Sequence, residues 1–194
     1  MKSSFLEYRR QRLARLKDHV ERGLVDKELV EWLSEVNRYD CIVTTSSCSG
    51  RLTLHTGGNP LDKKSSKILA SWHDPSRAVR EACYTTHMEY KGLVWLALQP
   101  PIVHIITPYI DVAALLVDSA VRSGMRRSCV RPSVHGWQVE VRAGDKSLYY
   151  FSGEPDCNVV EELGSVLSVY KGRFFGWMNK VLDLLSTEGV CGSH

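Results

Sequence analysis

Apolar residues recur at helical spacing through the first forty positions, and then the period changes. Leu13, Leu16 and Val20 share one face of the segment 5–22, which predicts a helix that Gly23 ends. Leu29, Val30, Leu33 and Val36 predict a second helix over 26–38, with Asp26 as its N-cap. From Cys41 the runs are short and β-favouring. "CIVTT" and "RLTLH" flank the polar stretch "TTSSCSGR" at 44–51, "GGNP" at 57–60 reads as a turn, and "KILASWH" at 67–73 predicts a third strand. Asp74-Pro75 has the form of an N-cap followed by a first-turn proline, and opens a helix to about His87.

"LVWLAL" and "IVHIIT" are the most apolar runs and are expected to be central strands. Pro100-Pro101 between them forbids one continuous central strand, because proline has no ladder donor. Val112, Leu115, Leu116 and Ala120 predict a helix over 109–123 that stops at Gly124. "RRSCVRP", "GWQVEVR" and "SLYYF" predict three further strands, the last after the Ala143-Gly144-Asp145 turn. Asn158 with Glu161 three residues on predicts a capping box that opens a final helix over 158–188. Gly164, Gly172 and Gly176 make a kink or break in it plausible.

Helices and strands alternate irregularly, so the expected class is α/β of the α+β kind, with a mixed sheet flanked by helices rather than a doubly wound one. With 194 residues, 43% of them apolar and 24% charged, the chain has ordinary globular composition and length for one core. The expectation is a single compact domain over 1–194: a helical pair at 5–38, sheet and helices at 41–151, and the C-terminal helix.

A net charge of +3 is too small to demand a nucleic-acid partner, but it is uneven: residues 1–22 carry seven Lys/Arg against three acids. Such a helix face contacts phosphate or merely meets solvent. The six cysteines are scattered without a CxxC pair, so no metal site is expected. No apolar run approaches the roughly 18 residues of a membrane span, and the N-terminus lacks an apolar leader, which points to a cytoplasmic protein with mostly reduced thiols.

The chain has neither GxGxxG after a first strand nor GxxxxGK[ST], so no Rossmann or P-loop cradle is expected. In "TTSSCSGR", Ser46, Ser47 and Ser49 offer hydroxyls, Gly50 permits a tight backbone and Arg51 offers a planar donor fork. That is either a capped turn or an anion nest for a carboxylate or phosphate, and Cys48 is a nucleophile only if a base lies beside it. Trp72-His73 ends a strand where a ring stacks on a base or fills a core. His104 lies within an apolar strand, Arg126, Arg127 and Ser128 stand at the mouth of another, and His135-Gly136 forms a turn. All of these fall at or near strand ends, where sites assemble.

In this order the set "TTSSCSGRL", "WH", "PPIVHI", "SGMRRS" and "SVHGWQVEV" closely resembles the tRNA wybutosine-synthesising protein 3 family, over about residues 5 to 185. The sequence departs from the family pattern modestly, with Met125 where an aromatic is common and Cys129 where a glycine often follows the serine. The resemblance implies a non-Rossmann, S-adenosyl-L-methionine-dependent methyltransferase. Its substrate would be the N4 ring nitrogen of a 4-demethylwyosine-type tricyclic guanosine, beside the anticodon in the stem-loop of tRNA-Phe. It also implies that Ser46, Ser47, Cys48, Gly50, Arg51, Trp72, His73, Arg126, Ser128 and Gly136 bind cofactor or base. His104, His135 and Ser47 are the expected catalytic residues, and Arg9, Arg12, Arg15 and Arg127 the expected tRNA-phosphate contacts.

Methyl transfer to nitrogen needs alignment, water exclusion and a group to take the nitrogen's proton, for which a histidine is suited. Two rivals remain open on the residues alone. One is a non-catalytic module that presents a modified anticodon to a partner enzyme, and the other is a hydrolase built on Cys48 and a histidine.

Overall fold

The computed structural model describes residues 2–57, 66–85, 93–152, 155–187 and 190–191. In chain order the elements begin with α1 (Lys2–Glu21), α2 (Lys27–Val36), β1 (Val43–Cys48), β2 (Arg51–Gly57) and β3 (Ser66–Trp72). Next come α3 (Pro75–Arg80) with a π-helical turn at Glu81–Thr85, β4 (Leu93–Gln99), β5 (Ile102–Thr107) and α4 (Ile110–Arg122). The last are β6 (Cys129–Ser133), β7 (Gly136–Arg142), β8 (Ser147–Ser152) and α5 (Cys157–Ser186). No helix among the described residues is long and apolar enough to cross a membrane. His87 and residues 58–60 of the expected turn lie outside the described residues.

The chain forms two compact units: residues 1–49, 101–144 and 172–194 make the first, and residues 50–100 and 145–171 the second. Each holds one four-stranded sheet, ordered β1-β5-β7-β6 in the first and β3-β2-β4-β8 in the second. Every pairing is antiparallel. The α+β class and the lack of a Rossmann crossover agree with the sequence. The strands, however, form two antiparallel sheets where the alternation of elements suggests one mixed sheet. The reason is topological. The short passages at Ser49-Gly50, Pro100-Pro101 and Gly144-Asp145 each send the next strand into the other sheet, so the two strands that flank each passage do not pair. A period of two says where a strand is and which face is apolar, not which strand lies beside it. β4 and β5 are interior strands, as their apolar runs predict, but of different sheets.

In the first unit α4 packs on β5, β6 and β7 through Val112, Ala113, Leu116 and Ala120. α1 and α2 pack on β1, where Phe5 joins Val43 and Ile106 in a buried cluster. The later part of α5 is held to α2 by the indole of Trp32, which donates to Met178 O at 2.9 Å and meets the Trp177 ring. Asp26 stands at the N-cap of α2 but makes no side-chain cap bond. Its carboxylate instead accepts the Ser49 N–H at 2.7 Å. Cys41 and Cys191 are joined in a disulfide, so one pair departs from the expected reduced thiols.

In the second unit Leu52, Leu54, Leu96, Leu98 and Trp72 of the sheet bury against Ala78, Val160, Leu163 and Leu167 of α3 and α5. Asp74 caps α3 as expected, accepting from Ser76 N at 2.9 Å, with Pro75 in the first turn. The start of α5 is capped by Asp156, which accepts the Asn158 N–H at 2.9 Å, rather than by Asn158 itself. The glycines of α5 do not break it. At Gly164 an added Cβ would stand 3.6 Å from Pro75 Cβ, an ordinary contact, so α5 passes close to α3 at this point.

Candidate functional site

Three neighbouring strands of the first unit place Ser46, His104 and Glu140 directly opposite one another, Ser46 against His104 and His104 against Glu140. The β1 register shifts between Thr44 and Ser46, and this bulge sets the geometry. Without it Val43 and Thr45 would share a face. With the extra residue Val43 faces Ile106 and Ser46 faces His104, two positions apart on β5 and therefore on one side of the sheet.

Along this row Ser46 Oγ lies 2.5 Å from His104 Nδ1, and His104 Nε2 lies 3.1 Å from Glu140 Oε2. Arg131 Nη2 donates to Glu140 Oε2 at 2.5 Å and Arg142 Nη2 to Oε1 at 2.6 Å. The side chain of Glu140 is only 8% exposed, that of His104 23%. Burial by itself raises the Glu140 carboxyl, but the hydrogen bond from His104 and the charges of Arg142 and Arg131 outweigh it and hold Glu140 below the ordinary 4.5. An ionised carboxylate can only accept, so in the neutral ring Nε2 carries the proton and Nδ1 is the acceptor facing the Ser46 hydroxyl. The row is thus a hydroxyl, an imidazole whose Nδ1 faces that hydroxyl, and an anion that fixes the tautomer.

Because Glu140 is more acidic folded than unfolded, its stabilising effect is present above about pH 4.5 and is lost as pH falls through the lower folded value. In Glu140→Gln the thermal midpoint is expected to start lower at neutral pH but to fall less steeply on acidification than the wild type; parallel slopes would contradict the ion pairing.

A cleft of about 290 Å³ adjoins the row. Arg12, Arg15, Leu16 and His19 of α1 line it together with Leu24, Val25, Leu33 and the edge residues Thr44, Thr45, Ser46 and Ser47 of β1. Asn37 secures that edge, accepting the Thr44 N–H at 2.9 Å and donating to Thr44 Oγ1 at 2.7 Å.

The other expected site residues divide. Ser47 lines the cleft and pairs with Val103, but Ser46 makes the contact to His104. Cys48 is half-buried at the end of β1, in register with Ile102 and outside the Ser46–His104–Glu140 row. The expected anion nest has an amide already spent, since Asp26 holds the Ser49 N–H. His135 stacks on Tyr8 with centroids 3.9 Å apart, and its Nδ1 lies 3.3 Å from Ser4 Oγ, so it fastens α1 instead of joining His104. Gly136 is needed for close approach: at φ 128° an added Cβ would stand 2.3 Å from Thr107 O. Ser128 Oγ accepts the Arg142 N–H at 3.3 Å, tying β6 to β7. Arg126 and Arg127 are exposed.

Arg9 is not placed to hold phosphate. It donates to Asn37 O at 2.6 Å, Ile42 O at 3.2 Å and Tyr39 O at 3.4 Å, closing the C-terminus of α2, and only 14% of its side chain is exposed.

In the second unit Gly50 takes φ 84° and its carbonyl lies 2.9 Å from His73 Nδ1, while Arg51 Nε donates to Gln99 Oε1 at 2.8 Å. Trp72 is 3% exposed, sits in the core and donates to Glu81 Oε2 at 2.7 Å, so it is not a stacking platform for a base. Trp72→Phe is expected to cost about 1–2 kcal/mol of stability through the missing hydrogen bond and the smaller ring. An unfolding midpoint that stays put would contradict its place in the core.

Sequence reasoning missed Glu140, Arg131 and Arg142. The signal was in "QVEVR", where strict alternation sets Gln138, Glu140 and Arg142 on the face opposite Val139 and Val141.

A family model described as Methyltransferase TYW3 matches residues 7–160. A protein of Archaeoglobus fulgidus named tRNA(Phe) 7-((3-amino-3-carboxypropyl)-4-demethylwyosine(37)-N(4))-methyltransferase is 38% identical over 119 residues, 60% of this chain and 58% of that relative. An identically named protein of Thermococcus sibiricus is 29% identical over 135 residues, 69% of this chain and 68% of its own length. Among solved structures, the PH1069 protein from Pyrococcus horikoshii superposes with a TM-score of 0.80 at 25% identity, covering 93% of this chain and 97% of that one. A hypothetical protein from Aeropyrum pernix shares the fold at a TM-score of 0.62 and 21% identity, over 82% of this chain and 98% of its own. The family match spans most of the chain, including β1, β5 and β7 with the Ser46–His104–Glu140 row, and the chain belongs to the methyltransferase TYW3 family.

Proposed function

We propose that this protein methylates the N4 ring nitrogen of a 4-demethylwyosine-type base in tRNA-Phe, with S-adenosyl-L-methionine as methyl donor. The observation that carries the reading is the Ser46–His104–Glu140 row, a proton acceptor with a fixed tautomer next to a cleft, in a chain of a methyltransferase family. The residues suit that donor. The cleft beside Ser46 and Ser47 combines guanidinium and hydroxyl donors with leucine side chains, a lining for an amphipathic molecule that ends in a carboxylate.

When bound, S-adenosylmethionine supplies an electrophilic methyl carbon and departs as the thioether. The acceptor nitrogen gains the methyl and must give up its proton. His104 Nδ1 receives that proton through the Ser46 hydroxyl that it faces, and Glu140 stabilises the imidazolium that results. Arg131 and Arg142 keep Glu140 ionised and in place throughout.

Exposed Arg126 and Arg127 are the residues we assign to tRNA phosphate. Charge reversal of both is expected to weaken tRNA binding and to lower the slope of log affinity on log salt by about 1 for each phosphate no longer neutralised; an unaltered slope would remove them from the interface.

The rival, a module that only presents the anticodon, has no use for a cofactor. Calorimetric titration with S-adenosylmethionine, with and without tRNA, separates the two: saturable binding supports the enzyme, and no heat in either case supports the module.

A further inference from the structure

The basic residues of α1 and its end are mostly neutralised. Arg9 pairs with Asp40, Arg10 with Glu7, Lys17 with Glu21 and Arg22 with Asp18. Arg12 and Arg15 are the exceptions, with no carboxylate partner among the described residues, and both line the cleft that contains the Thr44 to Ser47 hydroxyls. The Arg12 guanidinium lies 4.9 Å from the Tyr8 ring centroid, a stack that fixes its plane while leaving its edge N–H groups for another partner. Arg15 spends only Nε, on His19 Nε2 at 3.4 Å. Among the described residues no acidic side chain lines the cleft, so its fixed charges are the two guanidinium cations, which attract an anion, while the hydroxyls and His19 can also accept. The leucines beside the arginines favour an anion on an apolar stem over a fully hydrated phosphate. Ser46 also lines the cleft, and its hydroxyl meets His104.

We infer that this cleft is a carboxylate site in which Arg12 and Arg15 seat a 3-amino-3-carboxypropyl group beside the Ser46–His104 pair. The inference rests on the proposed function and gives its recognition a specific chemistry. The same group exists in two of the reactants: it is the amino-acid end of S-adenosylmethionine, and it is the arm on the base in the name of the Archaeoglobus relative's substrate.

The test uses Arg12→Gln/Arg15→Gln in the full chain and reads equilibrium binding, not turnover. Four ligands are compared: S-adenosylmethionine, 5′-methylthioadenosine (the same nucleoside without the amino-acid end), and tRNA-Phe with and without the aminocarboxypropyl arm. Removing two charged, fork-shaped donors is expected to weaken the seated reactant about 10- to 100-fold. If the cofactor is seated there, S-adenosylmethionine weakens while methylthioadenosine does not. If the acceptor is, arm-bearing tRNA falls toward the affinity of arm-free tRNA. Either pattern upholds the site and names its source. Retained affinity for all four overturns it, as does equal weakening of both tRNAs with a lower salt slope, which is the mark of a phosphate contact. Arg15→Lys, which keeps the charge but not the fork, gives a smaller loss in the same pattern and serves if the double variant does not fold. A wild-type protein that transfers no methyl would refute the proposed function while these affinities still report on the cleft.

Discussion

His104→Ala lowers the rate of methyl transfer by about 10²- to 10⁴-fold, the usual contribution of a positioned acid or base, while the protein stays folded. The two halves of this expectation come from the same geometry. His104 is the one imidazole of the row, with Ser46 at its Nδ1 and Glu140 at its Nε2. Removing the imidazole takes away the base that Ser46 faces, and His19, the imidazole that lines the cleft, is outside the row. Glu140 nonetheless keeps both arginine partners, so its buried charge is not stranded and the strand row survives. His135→Ala loosens the Tyr8 contact and costs stability more than rate. If the two variants behave alike, or if His104→Ala turns over at the wild-type rate, the acid–base assignment fails.

Gly136→Ala has the largest expected effect on stability, about 3 kcal/mol or more. A Cβ at this position meets Thr107 O at 2.3 Å and Pro108 Cα at 2.8 Å, and both are backbone atoms that move only with the strand. The positive φ of 128° adds strain of its own. Relief would require β7 to withdraw from the end of β5, where Thr107 is in register with Trp137, and the shift would spread along the ladder that holds His104 against Glu140. Chemical denaturation should therefore show a lower midpoint for Gly136→Ala, together with reduced methyl transfer in the surviving native fraction. Gly124→Ala is the control for positive φ alone: its added Cβ would approach only the flexible side chain of Arg173, at 3.5 Å. An equal loss at both positions would mean that close approach at Gly136 is not what matters.

These residues also mark what the chain discloses before it is folded. Helix positions, strand positions and the apolar faces were legible because each is a local property of spacing: Leu29, Leu33 and Val36 are buried on α2 as their period requires. The partition into two sheets was not legible, because it depends on three short passages whose direction no side-chain pattern records. The site was legible as a set of residue types and only partly as an arrangement. His104 and the serines stood out from their apolar surroundings, yet which hydroxyl faces the histidine depends on a bulge that sets Ser46, where an unbroken register would set Thr45, opposite His104. Trp72 and Arg9 misled for a common reason. An indole and a guanidinium look available on paper, whereas Glu81 takes the first and three backbone carbonyls take the second. Glu140 was overlooked because a single acid in a strand carries no motif, and only the antiparallel register sets it against His104.

The central claim is that this chain places one methyl group on the N4 nitrogen of a wyosine-type base. The measurement that addresses it directly is incubation of the protein with S-adenosylmethionine and tRNA-Phe from a strain lacking the endogenous enzyme, followed by digestion and mass spectrometry of the nucleosides. The account predicts a demethylwyosine-type nucleoside heavier by one methyl, with fragmentation that keeps the added mass on the tricyclic base, and no such product from the His104→Ala protein. An unmodified nucleoside pool, or a methyl located on the ribose or on another base, would contradict it.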